Sequence, residues 1–251
     1  MPKFFVTQEQ IKENKIYIKG QDVNHIKKVL RAEIGDSVEI CDKTNQKNYD
    51  CKIEELNEEN IKCIINKELN TKTESNIKVT IFQGLPKADK MELVIQKSVE
   101  LGAFEIIPVK TERCIVKLDK KSEMNKINRW NKISEVAAKQ CGRDFVPKVK
   151  ELANVNDICN SCQNYDIVLV AYEKEEKNTL KNELSKLKER NNEKIKIGVL
   201  IGPEGGLDIK EVELLEKAGA KIITLGKRIL RTETVALNVL SNIMYELEEI
   251  W

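Results

Sequence analysis

From residue 79 onward, short apolar runs alternate with helical stretches, and this alternation restricts the fold more than any other feature of the sequence. Residues 79–83 (VTIFQ), 104–109, 166–171 (DIVLVA), 195–201 and 221–225 read as strands. Residues 90–101, 125–139, 180–188, 209–218 and 234–250 read as helices. In the first of these helices Met91, Val94, Ile95 and Val99 share one face, and Gly102 ends it. Strands that are apolar throughout and separated by helices imply a parallel sheet covered on both faces.

The chain before residue 73 has a different rhythm. Residues 16–18, 37–41, 49–53 and 61–65 are short, alternating or β-branched runs broken by turn-rich pieces such as 42–45. One short helix is predicted over 22–30, with Asp22 as its cap. Closely spaced short strands predict a small β-barrel. The polar stretch 70–76 is the linker, dividing the chain into 1–72 and 73–251.

Charge narrows the partners. Lys+Arg is 43 and Asp+Glu 41, so the whole chain is nearly neutral. Residues 110–150, however, carry 12 Lys and Arg against 5 Asp and Glu, a local excess of +7. Such a stretch is either a solvated surface or one facing a polyanion. The charged segments 173–178 and 181–196 read as solvated surface. Only 7 of the 43 basic residues are Arg, so each guanidinium marks a position to locate. His25 is the single histidine, which excludes a His-rich zinc site and a two-His iron site. No acidic cluster has ligand spacing, so a metal is not implied. The first ten residues contain no long apolar run, no stretch is long enough for a membrane span, and the seven Cys suit a reducing, cytoplasmic setting. Cys159 and Cys162 form a lone CxxC, read as chance spacing in a loop.

Two loops concentrate the chemistry. Residues 201–206 (IGPEGG) follow one predicted strand and open a helix; their glycines permit close backbone approach, and helix-start N–H groups favour an anionic or polar ligand. Residues 225–234 (LGKRILRTET) follow the next strand and place two Arg around Ile229 and Leu230, as in a loop packed over a flat ring with Arg reaching an anion. Thr232 or Thr234 can cap the last helix. If both strands lie in one parallel sheet, the loops meet at its carboxyl edge, where open α/β sheets bind ligands.

These loops, with the blocks 25–31 (HIKKVLR), 83–87 with Lys90 and 97–102, and 129–130 through 137–140 with Arg143 and Pro147, resemble the RsmE family. These are the 16S ribosomal RNA uridine-N3 methyltransferases of the SPOUT superfamily. The resemblance covers nearly the whole chain. It implies an N-terminal PUA-like β-barrel that binds RNA (1–72) and a C-terminal SPOUT α/β methyltransferase domain (73–251) with a deep C-terminal trefoil knot. It also implies a homodimer through the C-terminal domain and S-adenosyl-L-methionine as cofactor. The implied target is N3 of uridine 1498, in standard 16S numbering, in the assembled 30S subunit. A SPOUT enzyme acting on tRNA and a non-catalytic ribosome-associated RNA-binding protein are the alternatives. Lys3 stands where many relatives have Arg, and Cys141 where a smaller residue is expected.

Residue by residue, the resemblance assigns the cofactor to Val170, Ala171 and Tyr172, to Leu200, Ile201, Gly202, Pro203, Glu204, Gly205 and Gly206, and to Leu225, Gly226, Ile229, Leu230, Arg231, Thr232, Thr234 and Ala236. Backbone groups of Leu200, Gly202, Leu225 and Ile229 would hold the adenosine. The catalytic candidates are Arg231, Glu204 and Glu233. Arg231 would stabilise a uracil anion or order its loop through a salt bridge. Glu204 is a base or a loop anchor; Glu233 is a base or a first-turn helix charge. His25 reads as packed or RNA-facing rather than as a base. With Arg31, Lys87, Lys90, Arg113, Arg129 and Arg143, it forms the expected RNA-binding set.

Overall fold

The computed structural model describes residues 3–70, 73–189 and 194–247. The expected linker positions 71–72, Arg190 and the helix residues 248–250 lie outside them. The chain forms two compact units. The first is Met1–Glu74 with Ala138–Val146; the second is Ser75–Ala137 with Pro147–Trp251.

In the first unit six strands build one sheet: β1 (Lys3–Val6), β2 (Ile11–Lys12), β3 (Lys15–Lys19), β4 (Ser37–Asp42), β5 (Lys47–Leu56) and β6 (Asn60–Leu69). Their order is β1-β4-β5-β6-β3-β2, antiparallel except for the β1–β4 pair. Two irregularities bend β5, at Asp50/Cys51 and Ile53/Glu55. The sheet curls, so that Phe4, Ile18, Ile40, Ile53 and Ile61, from five different strands, share one core. The helix expected over 22–30 is instead a short α1 (Gln21–Asn24) after Gly20, continued by a π-helical stretch His25–Val29. Asp22 does not cap it, because its carboxylate accepts from Lys139 Nζ at 2.8 and 3.0 Å.

The segment Ala138–Val146 is fastened to this sheet by buried charges. Lys3 Nζ donates to the Gly142 carbonyl at 3.1 Å and pairs with Asp144 and with Glu39 at 2.9 Å. Lys3 is thus a buried clamp and not an RNA-facing cation. Arg143 is 7% exposed, and its Nε donates to Glu74 at 3.2 Å. The expected phosphate contact of Arg143 is corrected accordingly: its guanidinium is turned inward onto a carboxylate.

The second unit contains β7 (Ile77–Gly84), α2 (Lys90–Glu100), β8 (Glu105–Lys110), α3 (Lys120–Gln140, its last residues counted in the first unit), β9 (Lys148–Val149), β10 (Ala153–Asn154), α4 (Val155–Ser161), β11 (Ile167–Ala171), α5 (Leu180–Lys188), β12 (Ile195–Ile201), α6 (Ile209–Lys217), β13 (Lys221–Ile223) and α7 (Thr232–Leu247). Its strands run β10-β8-β7-β12-β11-β13, with β9 on β8, and every pair is parallel. Val79, Ile81, Leu169, Ile197 and Val199 are fully buried, as their continuous apolar runs require. Helix α3 starts five residues before the expected 125 because Asp119 Oδ1 accepts from the Ser122 amide at 2.7 Å and caps it. Cys159 ends up on α4 and Cys162 just after it, both free and packed against the core rather than in a loop. Burial pushes both thiols up.

Candidate active site at the carboxyl edge of the parallel sheet

β12 and β13 are not neighbours; β11 lies between them. The parallel order therefore puts the ends of β7, β12, β11 and β13 on one edge, with Tyr172 between the two motif loops. A cavity of about 560 Å³ opens there. It is lined by Ala171, Tyr172 and Glu173, by 201–207, by 224–232, and by Lys90 and Val235.

The glycine-rich loop is seated by close approach. A Cβ at Gly84 would lie 2.7 Å from Pro203 Cδ and 3.0 Å from the Ile201 carbonyl oxygen, so only glycine at the end of β7 lets the loop cross it. Gly206 has φ +70, and a Cβ there would sit 2.9 Å from a Glu173 carboxylate oxygen. The Gly206 amide closes a turn onto the Pro203 carbonyl at 2.9 Å. Leu207 and Asp208 separate this loop from α6. Asp208 caps that helix by accepting from the Lys210 amide at 3.0 Å. The expectation that the loop itself opens the helix is corrected: α6 has its own capping box, so its first N–H groups are not offered to a ligand.

A buried hydrogen-bond chain joins three elements. Gln83 Nε2 donates to Thr232 Oγ1 at 2.9 Å, and Thr232 Oγ1 donates to the Gly202 carbonyl at 2.7 Å. Gln83 Nε2 also donates to the Gly84 carbonyl at 2.9 Å, while Gln83 Oε1 is buried without a partner among the described residues. Thr232 is therefore no helix cap; its hydroxyl holds the loop. Thr234 does not cap either: its amide, like that of Val235, is bonded to the Arg231 carbonyl.

The charges are arranged around Lys90. Its Nζ donates to Glu204 Oε1 at 2.9 Å and lies 3.4 Å from Glu233 Oε2. Glu204 also accepts from the Lys87 amide at 3.1 and 3.3 Å. Partial burial pushes the Glu204 carboxyl up, but the Lys90 ammonium and the backbone amides outweigh it and hold the group below the usual carboxylate range. Lys90 is in turn held above the usual lysine value, chiefly by its bond to Glu204 against the opposing effect of desolvation. Glu233 Oε2 is buried and makes no hydrogen bond among the described residues.

The expected residues divide into groups. Ala171, Tyr172, Ile201 through Gly206, Leu225, Gly226, Ile229, Leu230, Arg231 and Thr232 line the cavity. Val170, Leu200 and Ala236 are fully buried and do not line it; they support it from the core. Thr234 points to solvent on the first turn of α7. Ile229 is 84% exposed rather than packed, so the loop presents its apolar side chain outward. Arg113 donates to the Gly205 carbonyl and to Asp208, both at 3.3 Å, and Arg129 pairs with Glu92 at 2.7 Å. Arg31, Arg228 and Arg231 are exposed and make no ion pair or side-chain hydrogen bond among the described residues. His25 is exposed, with its ring edge-on to Phe4 at 6.2 Å. Sequence reasoning missed Lys90 as a cavity residue, together with Glu173, Leu207, Thr224, Lys227, Arg228 and Val235. Lys90 and Glu173 are brought there by the sheet order, which no local pattern carries, whereas the others sit in or beside the two motif loops.

A parallel α/β unit with a ligand-sized cavity at its carboxyl edge and a second unit built on a curled sheet match two family models. Residues 73–244 match the RNA methyltransferase domain and residues 18–66 the RNA methyltransferase PUA domain, so the chain is of the RNA methyltransferase class. Whole-length relatives narrow this. The ribosomal RNA small subunit methyltransferase E of Bacillus subtilis is 37% identical, over 99% of this chain and 98% of its own. The protein of the same name from Mesomycoplasma hyopneumoniae is 32% identical, over 96% and 98%. The crystal structure of that enzyme from Neisseria gonorrhoeae, bound to S-adenosyl methionine, superposes with a TM-score of 0.86 at 28% identity, over 98% and 97%. The chain belongs to the ribosomal RNA small subunit methyltransferase E family. Among the described residues no helix is long and apolar enough to cross a membrane, and no three His, Cys, Asp or Glu form a metal-holding group.

Proposed function

We propose that the protein is an S-adenosyl-L-methionine-dependent methyltransferase that methylates N3 of uridine 1498, standard numbering, in 16S ribosomal RNA of the 30S subunit. The observation that carries this is the cavity between the two motif loops, where Lys227, Arg228 and Arg231 line the wall without an ion-pair partner among the described residues. In this reading residues 1–72 are the RNA-binding PUA-like domain and 73–251 the SPOUT domain. The C-terminal segment threads a loop of the chain as a deep trefoil knot. A homodimer through the C-terminal domain is supported by Tyr245 on α7, which is 83% exposed. The setting is cytoplasmic.

The residues fit the cofactor. The cavity volume lies within the ~300–1,000 Å³ of small-molecule sites. Ile201, Leu225 and Leu230 offer apolar surface to a flat base. The backbone of Gly202 and Leu225 offers polar groups, and Arg228, Arg231 and Lys227 offer charge to a carboxylate. The bound cofactor supplies an activated methyl group. The protein's residues do the rest. The loops at 201–207 and 224–232 shield the site from water. Arg231 meets the negative charge that develops on the uracil as its N3 proton leaves. Glu204, ionised and already holding Lys87 and Lys90, serves as the anchor of its loop rather than as proton acceptor.

RNA contacts fall to Arg31 in the first unit and to Lys87, Arg228 and the exposed lysines of α3 in the second. Phosphate contacts of this kind make affinity fall steeply with salt. Arg231→Ala tests the chemistry: methyl transfer to 30S subunits should be lost while melting temperature and oligomeric state are unchanged. Wild-type turnover in that variant would remove Arg231 from the mechanism.

A further inference from the structure

Lys90 is the first residue of α2, the positive end of the helix dipole. A cation there opposes the dipole, and an anion would be favoured. The residue is therefore not placed for the sake of its helix. Two carboxylates from two other elements hold it: Glu204 of the glycine-rich loop by a hydrogen bond at 2.9 Å, and Glu233 of α7 by an ion pair at 3.4 Å. The turn that delivers it is itself constrained. Ala88 has φ +54, a region that non-glycine residues rarely occupy, and the neighbouring Lys87 amide is bonded to Glu204. The side chain is half-buried and lines the cavity. It has three N–H donors and one hydrogen-bonded carboxylate, so donor capacity is left for a ligand in the cavity. Its bond to Glu204, with the nearby Glu233 charge, holds it above the usual lysine value.

We infer that Lys90 is a catalytic residue for the methyl transfer, donating a hydrogen bond to a carbonyl oxygen of the target uracil as the base becomes an anion. In the balanced reaction the N3–H bond breaks and its proton passes to water. The N3 electron pair forms the new carbon–nitrogen bond. The methyl–sulfur bond breaks, and its electron pair stays on sulfur, which becomes a neutral thioether. Lys90 lowers the cost of the anion without itself transferring a proton. Glu204 and Glu233 are positioning residues that aim its ammonium. This rests on the uridine-N3 reading above, and it separates Lys90 from the phosphate-contacting cations.

The test compares wild type, Lys90→Met and Lys90→Arg on undermethylated 30S subunits. Single-turnover methyl transfer is measured at saturating RNA, with cofactor affinity by calorimetry and RNA affinity by filter binding. Lys90→Met should slow transfer ~100-fold or more, the usual effect of deleting one oxyanion-type donor, while both affinities stay within about threefold by this account. Lys90→Arg should retain part of the rate and serves if the Met variant is poorly folded. Subunits carrying 5-fluorouridine at the target, whose imide is more acidic, should shrink the Lys90→Met defect about tenfold or more, because less anion stabilisation is needed. A loss confined to RNA affinity would make Lys90 a phosphate contact, and a loss of cofactor affinity a cofactor contact; either overturns the inference. An equal defect on uridine and 5-fluorouridine overturns it as well. A wild type that makes no N3-methyluridine would overturn the functional reading and this inference with it. A wild type that does, with Lys90 variants as fast, overturns the inference alone.

Discussion

Thr232→Val removes one hydroxyl and leaves the side chain's shape almost unchanged. The hydroxyl accepts from Gln83 Nε2 at 2.9 Å and donates to the Gly202 carbonyl at 2.7 Å, so it ties β7, α7 and the glycine-rich loop together. Gln83 is fully buried, and its Oε1 is already unpaired. The substitution strands one of its two amide N–H groups. A lost neutral hydrogen bond costs about 1 kcal/mol, and a buried donor left without an acceptor about 1–3 kcal/mol. The Gly202 carbonyl borders the cavity and regains a partner from solvent, so it adds little. The expected loss is about 2–4 kcal/mol, which for a protein of this size lowers the melting temperature by about 5–15 °C. Thr232→Ser keeps the hydroxyl and should cost about 1 kcal/mol, the value of one methyl group. Gln83→Met combined with Thr232→Val should cost less than the two single changes together, because both partners leave at once. Thermal melts followed by circular dichroism, with calorimetric titration of S-adenosyl-L-methionine, decide the matter. A Thr232→Val protein that melts within a degree of wild type would refute the claim that this chain of bonds holds the loop.

Three other outcomes are expected. Gly84→Ala drives a methyl against Pro203, about 0.7 Å inside ordinary contact, and should weaken cofactor binding by tenfold or more while far-ultraviolet circular dichroism stays native; unchanged affinity would contradict the close approach of loop and strand. Lys3→Met leaves the buried Asp144 carboxylate and the half-buried Glu39 carboxylate without their cation and should destabilise the first unit by about 3–5 kcal/mol in urea unfolding, and a loss below 1 kcal/mol would count against the clamp. The Glu204 carboxyl is held below its ordinary value of ~4.3, so the stability it contributes is full above that pH and is lost as pH falls through the folded-state value. The stability gap between wild type and Glu204→Gln should be widest near neutrality and narrow as pH falls below the ordinary carboxylate range; a gap that is constant with pH would contradict the assignment.

The parallel sheet was legible because strands such as 195–201 are buried on both faces and are therefore apolar at every position. The same logic could not find β9 and β10, two residues each, which exist only because β8 offers them an edge. The stretch at His25–Val29 has helical composition, and the widening of its turn is a tertiary effect with no local signature. The two motif loops announced themselves through glycine and arginine in unusual company. Lys90 and Glu173 did not, because they are ordinary charged residues until the strand order brings them to the cavity. Arginine scarcity was informative in an unforeseen way. Arg113, Arg129 and Arg143 are spent on holding loops and helices, whereas Arg31, Arg228 and Arg231 make no ion pair or side-chain hydrogen bond among the described residues.

The central claim is that the cavity at the sheet edge delivers a methyl group to one uridine of small-subunit ribosomal RNA. It is tested most directly by incubating the protein with methyl-labelled S-adenosyl-L-methionine and 30S subunits from cells lacking the corresponding gene, then mapping the label by mass spectrometry. A single N3-methyluridine at position 1498 is expected. Label on tRNA, label on a ribose or a different base, or no transfer at all would contradict it.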